Sequence, residues 1–131
     1  MWKRKHESGQ AMVEFALLLP LFLILTFGII EFGCYFSFSL SVTSAAREGA
    51  RYGVTHSSDS DFVSGVTSRV QSCAPNLEPA NMTVDVTKKS DSGEEDVFVD
   101  IDYAADTITP VGKILWGSQY HVKSSCTMKI N

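Results

Sequence analysis

The sequence predicts an α+β chain. A long N-terminal transmembrane helix extends into a small outer domain, where a second helix packs on a three-stranded antiparallel sheet. Three observations predict it. Residues 15–40 (FALLLPLFLILTFGIIEFGCYFSFSL) hold a single charge, Glu31. Phe62, Val66, Val70 and Cys73 recur at i, i+4, i+8 and i+11, one apolar helix face. Three later runs alternate apolar and polar residues, the period of a strand with one wet face.

The 131 residues are 44% apolar and 20% charged, with a formal charge of −4, which suits one small domain plus an appendage and excludes global disorder. A pI near 5.2 argues against a nucleic-acid binder, which needs a basic stripe. The mean hydropathy of +0.04 averages two unlike parts. Residues 1–9 carry Lys3, Arg4 and Lys5 against Glu7, and from Thr55 onward six Lys/Arg face eleven Asp/Glu. Three segments follow: a basic leader at 1–9, a transmembrane and extended helix at 10–54, and an outer α+β domain at 55–131.

Twenty-six apolar residues in a helix reach about 39 Å, longer than the roughly 30 Å hydrocarbon core of a bilayer. The run is too long for a secretory signal, although Ser44-Ala45-Ala46 has the small residues of a cleavage site. The rest of the chain is too short to bury it as a core helix. Lys3, Arg4 and Lys5 place the N-terminus in the cytoplasm, and the acidic part outside, by the positive-inside rule. Pro20 removes a backbone donor, which a membrane helix tolerates. Glu31 has two readings: an acid that reaches headgroups or is protonated, and an acid that faces a partner helix in an assembly.

At the junction, SGQAMVEF joins a glycine at the membrane face to Glu14 in the first turn of the apolar helix. There its charge complements the helix dipole. A glycine at this place leaves an accessible, extended peptide bond for a protease. The alternative is an uncleaved anchor whose Glu14 marks the interface. The stretches GQAMVEFALLLPLFLILTFGIIEFG and SAAREGARYGV resemble the TadE-like pseudopilins of the Tad (Flp-type) pilus and secretion system. The resemblance covers residues 9–54 well and is weak beyond. It implies a pilin-like fold and cleavage by a membrane prepilin peptidase at Gly9–Gln10, with Glu14 as the recognition acid. It also favours an assembly role for Glu31. Pilins of the major type usually begin with Phe, so the Gln10 start leaves N-methylation open.

Beyond the span, Ala45, Gly49 and Gly53 recur at i, i+4 and i+8 as a small-residue ridge. A glycine inside a helix costs about 1 kcal/mol, so two of them suggest close approach by another element. Arg47 and Arg51 form a second stripe, and Glu48 can pair with Arg51 at i, i+3. The arginines are either a solvated face or partners of an acid on a neighbouring subunit, Glu31 among them. A rod from Ala11 to Val54 spans about 66 Å and suits a helical bundle.

Residues 55–61 (THSSDSD) mark a boundary, with Asp59 or Ser60 able to cap the helix of Phe62–Cys73. Pro75 and Pro79 end that helix. The strands are read at Met82–Thr87, Val97–Tyr103 and Tyr120–Ile130. Lys88–Glu95 forms a hairpin loop between the first two, and 106–117 a longer connection with a helical turn after Pro110. Cys73 and Cys126 both fall on apolar faces. A disulfide between them is permitted outside the cell and would contribute about 4 kcal/mol; two free thiols are the alternative. Cys34 reads as an inert thiol.

No catalytic constellation emerges from His6, His56 and His121, and no spacing fits zinc. The acidic run Asp91–Asp96 reads as a solvated turn. The sequence therefore predicts no enzyme, no cofactor, no metal, no nucleic acid and no small-molecule substrate. Membrane lipid is the expected partner from composition. The resemblance adds the prepilin peptidase, other pilins or pseudopilins, and Tad inner-membrane assembly proteins. Two other readings stay open: an uncleaved single-pass adaptor of a secretion machine, and a secreted binding domain released from a signal.

Overall fold

The computed structural model describes residues 4–91 and 93–130, with side chains from Ser8 onward except Asp91. Lys3 and the side chains of Arg4, Lys5 and Glu7, on which the predicted orientation rests, lie outside the described set.

Helix α1 (Arg4–Thr55) is continuous over 52 residues, including Pro20. At about 1.5 Å per residue it is about 78 Å long. It already includes Arg4–Gly9, so the leader and the span are one helix. Its first part is uncovered: the most apolar 18-residue window is 0% buried inside the chain. Its last part is the opposite. Val42, Ala45, Ala46 and Ala50 are fully buried.

Helix α2 (Phe62–Cys73) buries Phe62, Val66 and Val70, the face its spacing predicts. The cap falls at Asp61 rather than Asp59 or Ser60, and Asp61 makes no side-chain cap bond. The turn is held by the backbone instead, with Gly65 N donating to Asp61 O at 2.8 Å. A single 3-10 turn at Pro79–Asn81 leads into the sheet.

Strands β1 (Met82–Asp91), β2 (Glu94–Asp106) and β3 (Gln119–Ile130) form an antiparallel sheet in the order β1-β2-β3. Val86 faces Val99 and Val99 faces Cys126 across it. The first hairpin is tighter than predicted. Lys88–Asp91 pair with Glu94–Val97, so the pairing runs on to Asp91 and Glu94, and Gly93 takes a φ of +90°. A positive φ there favours glycine. The acidic run is therefore mostly strand, with Lys129 paired to Glu94 across the sheet. A short helix, α3 (Pro110–Trp116), interrupts the connection between β2 and β3.

One sheet face is covered by α1 and α2, and Val97, Val99, Ile101 and Val122 are buried beneath them. Helix α1 lies on β2 and β3, and α2 lies on α1 and reaches β1. The end of α1 packs on α2, β2 and β3 and so forms part of the outer domain's core. The other sheet face carries Asp85, Asp100, Asp102 and Lys123.

Candidate functional site

Glu31 lies on α1 between the exposed Ile30 and Phe32 and is itself 5% exposed. Its partner is the connection after β2. Thr109 N donates to Glu31 Oε2 at 3.0 Å, Thr109 Oγ1 donates to the same oxygen at 2.8 Å, and Ile108 N donates to Oε1 at 3.4 Å. Thr109 is also the N-cap of α3, its Oγ1 accepting from Gly112 N at 3.0 Å. A buried carboxylate is tolerated when donors surround it, and three do so here. Gly112 is held to glycine by close approach. A Cβ there would lie 2.6 Å from Thr107 Cγ2 and 2.9 Å from Glu31 Oε2.

Aromatic rings continue the attachment outward. Tyr35 meets Tyr120 at a centroid distance of 5.8 Å, and Phe38 meets Tyr103 at 5.6 Å. Burial pushes the Tyr120 phenol up to about 12, with the nearby Glu31 adding to the rise. Glu31 therefore staples α1 to its own outer domain. Its carboxylate accepts all three of these hydrogen bonds from within the chain.

The small-residue ridge meets another element, and that element is internal. A Cβ on Gly49 would lie 2.4 Å from Val70 Cγ2, and one on Gly53 would lie 2.9 Å from Val97 Cγ1. Ala45 is fully buried. These three positions let α2 and β2 approach α1 within the chain. Arg47 and Arg51 remain exposed on the other side. Glu48 pairs with Arg69 of α2 at 2.7 Å instead of Arg51. The hydrogen bond from Arg69 holds the Glu48 carboxyl below its ordinary value, with Arg51 a lesser cause.

At the junction, Gly9 is exposed, and a Cβ on it would meet nothing within 4 Å. The Gly9–Gln10 bond is helical rather than extended. Gln10 Nε2 donates to Glu14 Oε1 at 3.2 Å, linking the two residues that follow the glycine by one helical turn.

The disulfide expected between Cys73 and Cys126 is absent, and Cys34, Cys73 and Cys126 are free. Both residues do lie on the predicted faces, half-buried against the core. However, α2 reaches β1 at one edge of the sheet, whereas Cys126 is on β3 at the other, under α1.

Among the described residues, no group of three or more His, Cys, Asp or Glu side chains is gathered to hold a metal. What the molecule builds is a long helix, bare at one end and welded into a small domain at the other. Residues 9–51 match the family model for TadE-like protein. The TadE-like segment starts at the Gly9 junction and ends inside the ridge that α2 covers. It spans about a third of the chain. No curated protein and no solved structure matches the chain. The Thr109–Gly112 clamp lies outside the TadE-like segment, and sequence reasoning missed it. Thr-Pro followed by glycine was the available signal for a capped turn, but nothing local pointed from it to Glu31.

Proposed function

We propose that this chain is a minor pilin or pseudopilin of a Tad-type pilus assembly or secretion system. It acts by helix packing and catalyses nothing. The carrying observation is the division of α1 within one unbroken helix. Met12 to Ile30 exposes Leu17, Leu21, Phe22 and Leu25 beyond 60%, while Val42 to Ala50 is core. A bilayer covers the first part, with the N-terminus in the cytoplasm and the outer domain in the periplasm or outside the cell.

In this reading the prepilin peptidase cuts between Gly9 and Gln10 and reads Glu14. Other pilins, pseudopilins and Tad inner-membrane proteins contact the lipid-embedded face of α1. Since Ala45, Gly49, Gly53 and Glu31 are engaged internally, Arg47 and Arg51 are the charged positions of the original set still free to meet a neighbour. Exposed ion pairs of this kind guide register more than they add stability.

The uncleaved adaptor is the second reading, and one observation favours it. The scissile bond is helical, so a protease must unwind a turn to reach it. Release of a secreted domain near Ala45 fits poorly, because that cut would remove Val42 from the core and divide its central helix. The mass of the mature chain purified from membranes decides between the first two. A chain beginning at Gln10 supports the pseudopilin. A chain that retains the residues before Gly9 supports the adaptor.

A further inference from the structure

Helix α3 has a surface that the folded domain does not use. Ile114 is 84% exposed, Leu115 64% and Trp116 60%, and Ile108 just before the helix is 59% exposed. From Thr107 to Tyr120 the only charge is Lys113, whereas residues 55–131 as a whole carry −5. The least acidic and most apolar stretch of the outer domain is thus gathered at one place.

That place is fixed by Glu31, which holds Thr109 and so the start of α3 against α1. The stretch from Ala11 to Ile30 is about 30 Å long as a helix, the thickness of the hydrocarbon core. Glu31 and its clamp then stand at the outer boundary of the bilayer. Trp116 of α3 and Phe32 of α1, both exposed, stand beside the same groove.

Between α1, α3 and the start of β3 lies an open groove of about 420 Å³ with mostly apolar walls, lined by Gly28, Glu31, Phe32, Tyr35, Trp116, Tyr120 and His121. The Tyr120 hydroxyl has no hydrogen-bond partner among the described residues. A phospholipid supplies what these walls lack, an acyl chain. Tryptophan has the matching chemistry, an apolar ring with one polar N–H, and concentrates at membrane interfaces.

We infer that α3 is a second membrane contact: Ile108, Ile114, Leu115 and Trp116 lie in the outer leaflet, and a phospholipid occupies the groove beside Trp116. The outer domain then rests on the bilayer through α3 as well as hanging from α1. The clamp at Glu31 sets the depth of that contact. This inference rests on the reading that α1 spans the membrane.

The test uses the full chain in phosphatidylcholine vesicles containing brominated lipids. In a Trp2→Phe background, Trp116 is the only tryptophan. Its emission is expected to be blue-shifted. Most of it is lost to bromines placed high on the acyl chains, and less to bromines near the bilayer centre. Emission untouched by bromines overturns the inference, whether it is red-shifted (α3 in water) or blue-shifted (α3 covered by protein, including a second copy). A parallel chain with Trp2→Phe, Trp116→Phe and Phe22→Trp reports on α1. Quenching there by central bromines together with a silent Trp116 refutes the α3 contact alone. Silence at both positions refutes the membrane-spanning reading as well.

Discussion

Replacing Thr109 by Val keeps the shape of the side chain and removes one oxygen that serves two bonds. Oγ1 donates to Glu31 at 2.8 Å and accepts from Gly112 N at 3.0 Å. A hydrogen bond to a carboxylate is worth about 1.5–3 kcal/mol and a helix cap about 1 kcal/mol. The two together come to about 2.5–4 kcal/mol, or about 10²- to 10³-fold in an opening equilibrium. Thr109 N and Ile108 N stay on the carboxylate, so Glu31 is not orphaned and the effect is confined to α3. Hydrogen exchange of residues 107–117 in the full chain, in nanodiscs, reads this opening. Amide protection at Gly112 and Lys113 should fall by that factor, with little change in β1 and β2. Thr109→Ser keeps the hydroxyl and loses a methyl group, about 0.8 kcal/mol, so its loss of protection should stay near fourfold or less. Equal behaviour of Val and Ser, or no loss with Val, would refute the clamp.

Three further outcomes follow from the packing and the charges. Gly49→Leu forces methylenes into Val70, which is fully buried, and should cost at least about 3 kcal/mol in thermal unfolding. Gly33→Leu, where a Cβ meets nothing within 4 Å, should be tolerated, and equal effects would show that the ridge is not packed. Asp102 accepts from His121 Nδ1 at 2.8 Å and from Lys123 Nζ at 3.4 Å, which hold its carboxyl below the ordinary value, His121 being the larger cause. In the window between the folded and ordinary values the unfolded chain binds more protons. The contribution is therefore complete above the ordinary value and lost as pH falls through the folded one. The effect is small because both groups are part-exposed, and Asp102→Asn should flatten it in a plot of melting temperature against pH; an unchanged slope would show that the pair is not formed. Finally, a fragment starting at His56 lacks Val42, Ala45, Ala46 and Ala50 and should not fold, whereas one starting at Phe27 should. Cooperative unfolding of the shorter fragment would contradict the central place given to α1.

The sheet and α2 were legible because their signals are local. Alternation at Val97, Val99, Ile101 and Tyr103 and the spacing of Phe62, Val66 and Val70 each report a face. What such patterns cannot report is which element covers the face. Gly49 and Gly53 announced a close neighbour, but not that it would be Val70 and Val97 of the same chain. The cysteines were on apolar faces, but helix packing and strand order put Cys126 on β3 under α1, whereas α2 reaches β1 at the opposite edge. Glu31 is the clearest case. Its donors are 77 and 78 residues away, in a connection whose sequence shows only a turn. A lone acid in an apolar run therefore read as a question for the membrane, when its answer lay in the fold.

The most direct measurement is alkaline carbonate extraction of cell membranes containing the native chain, followed by detection of the outer domain. An uncovered α1 from Met12 to Ile30 predicts that the intact domain stays with the membrane pellet after the wash. Recovery of a folded outer domain in the supernatant would contradict it.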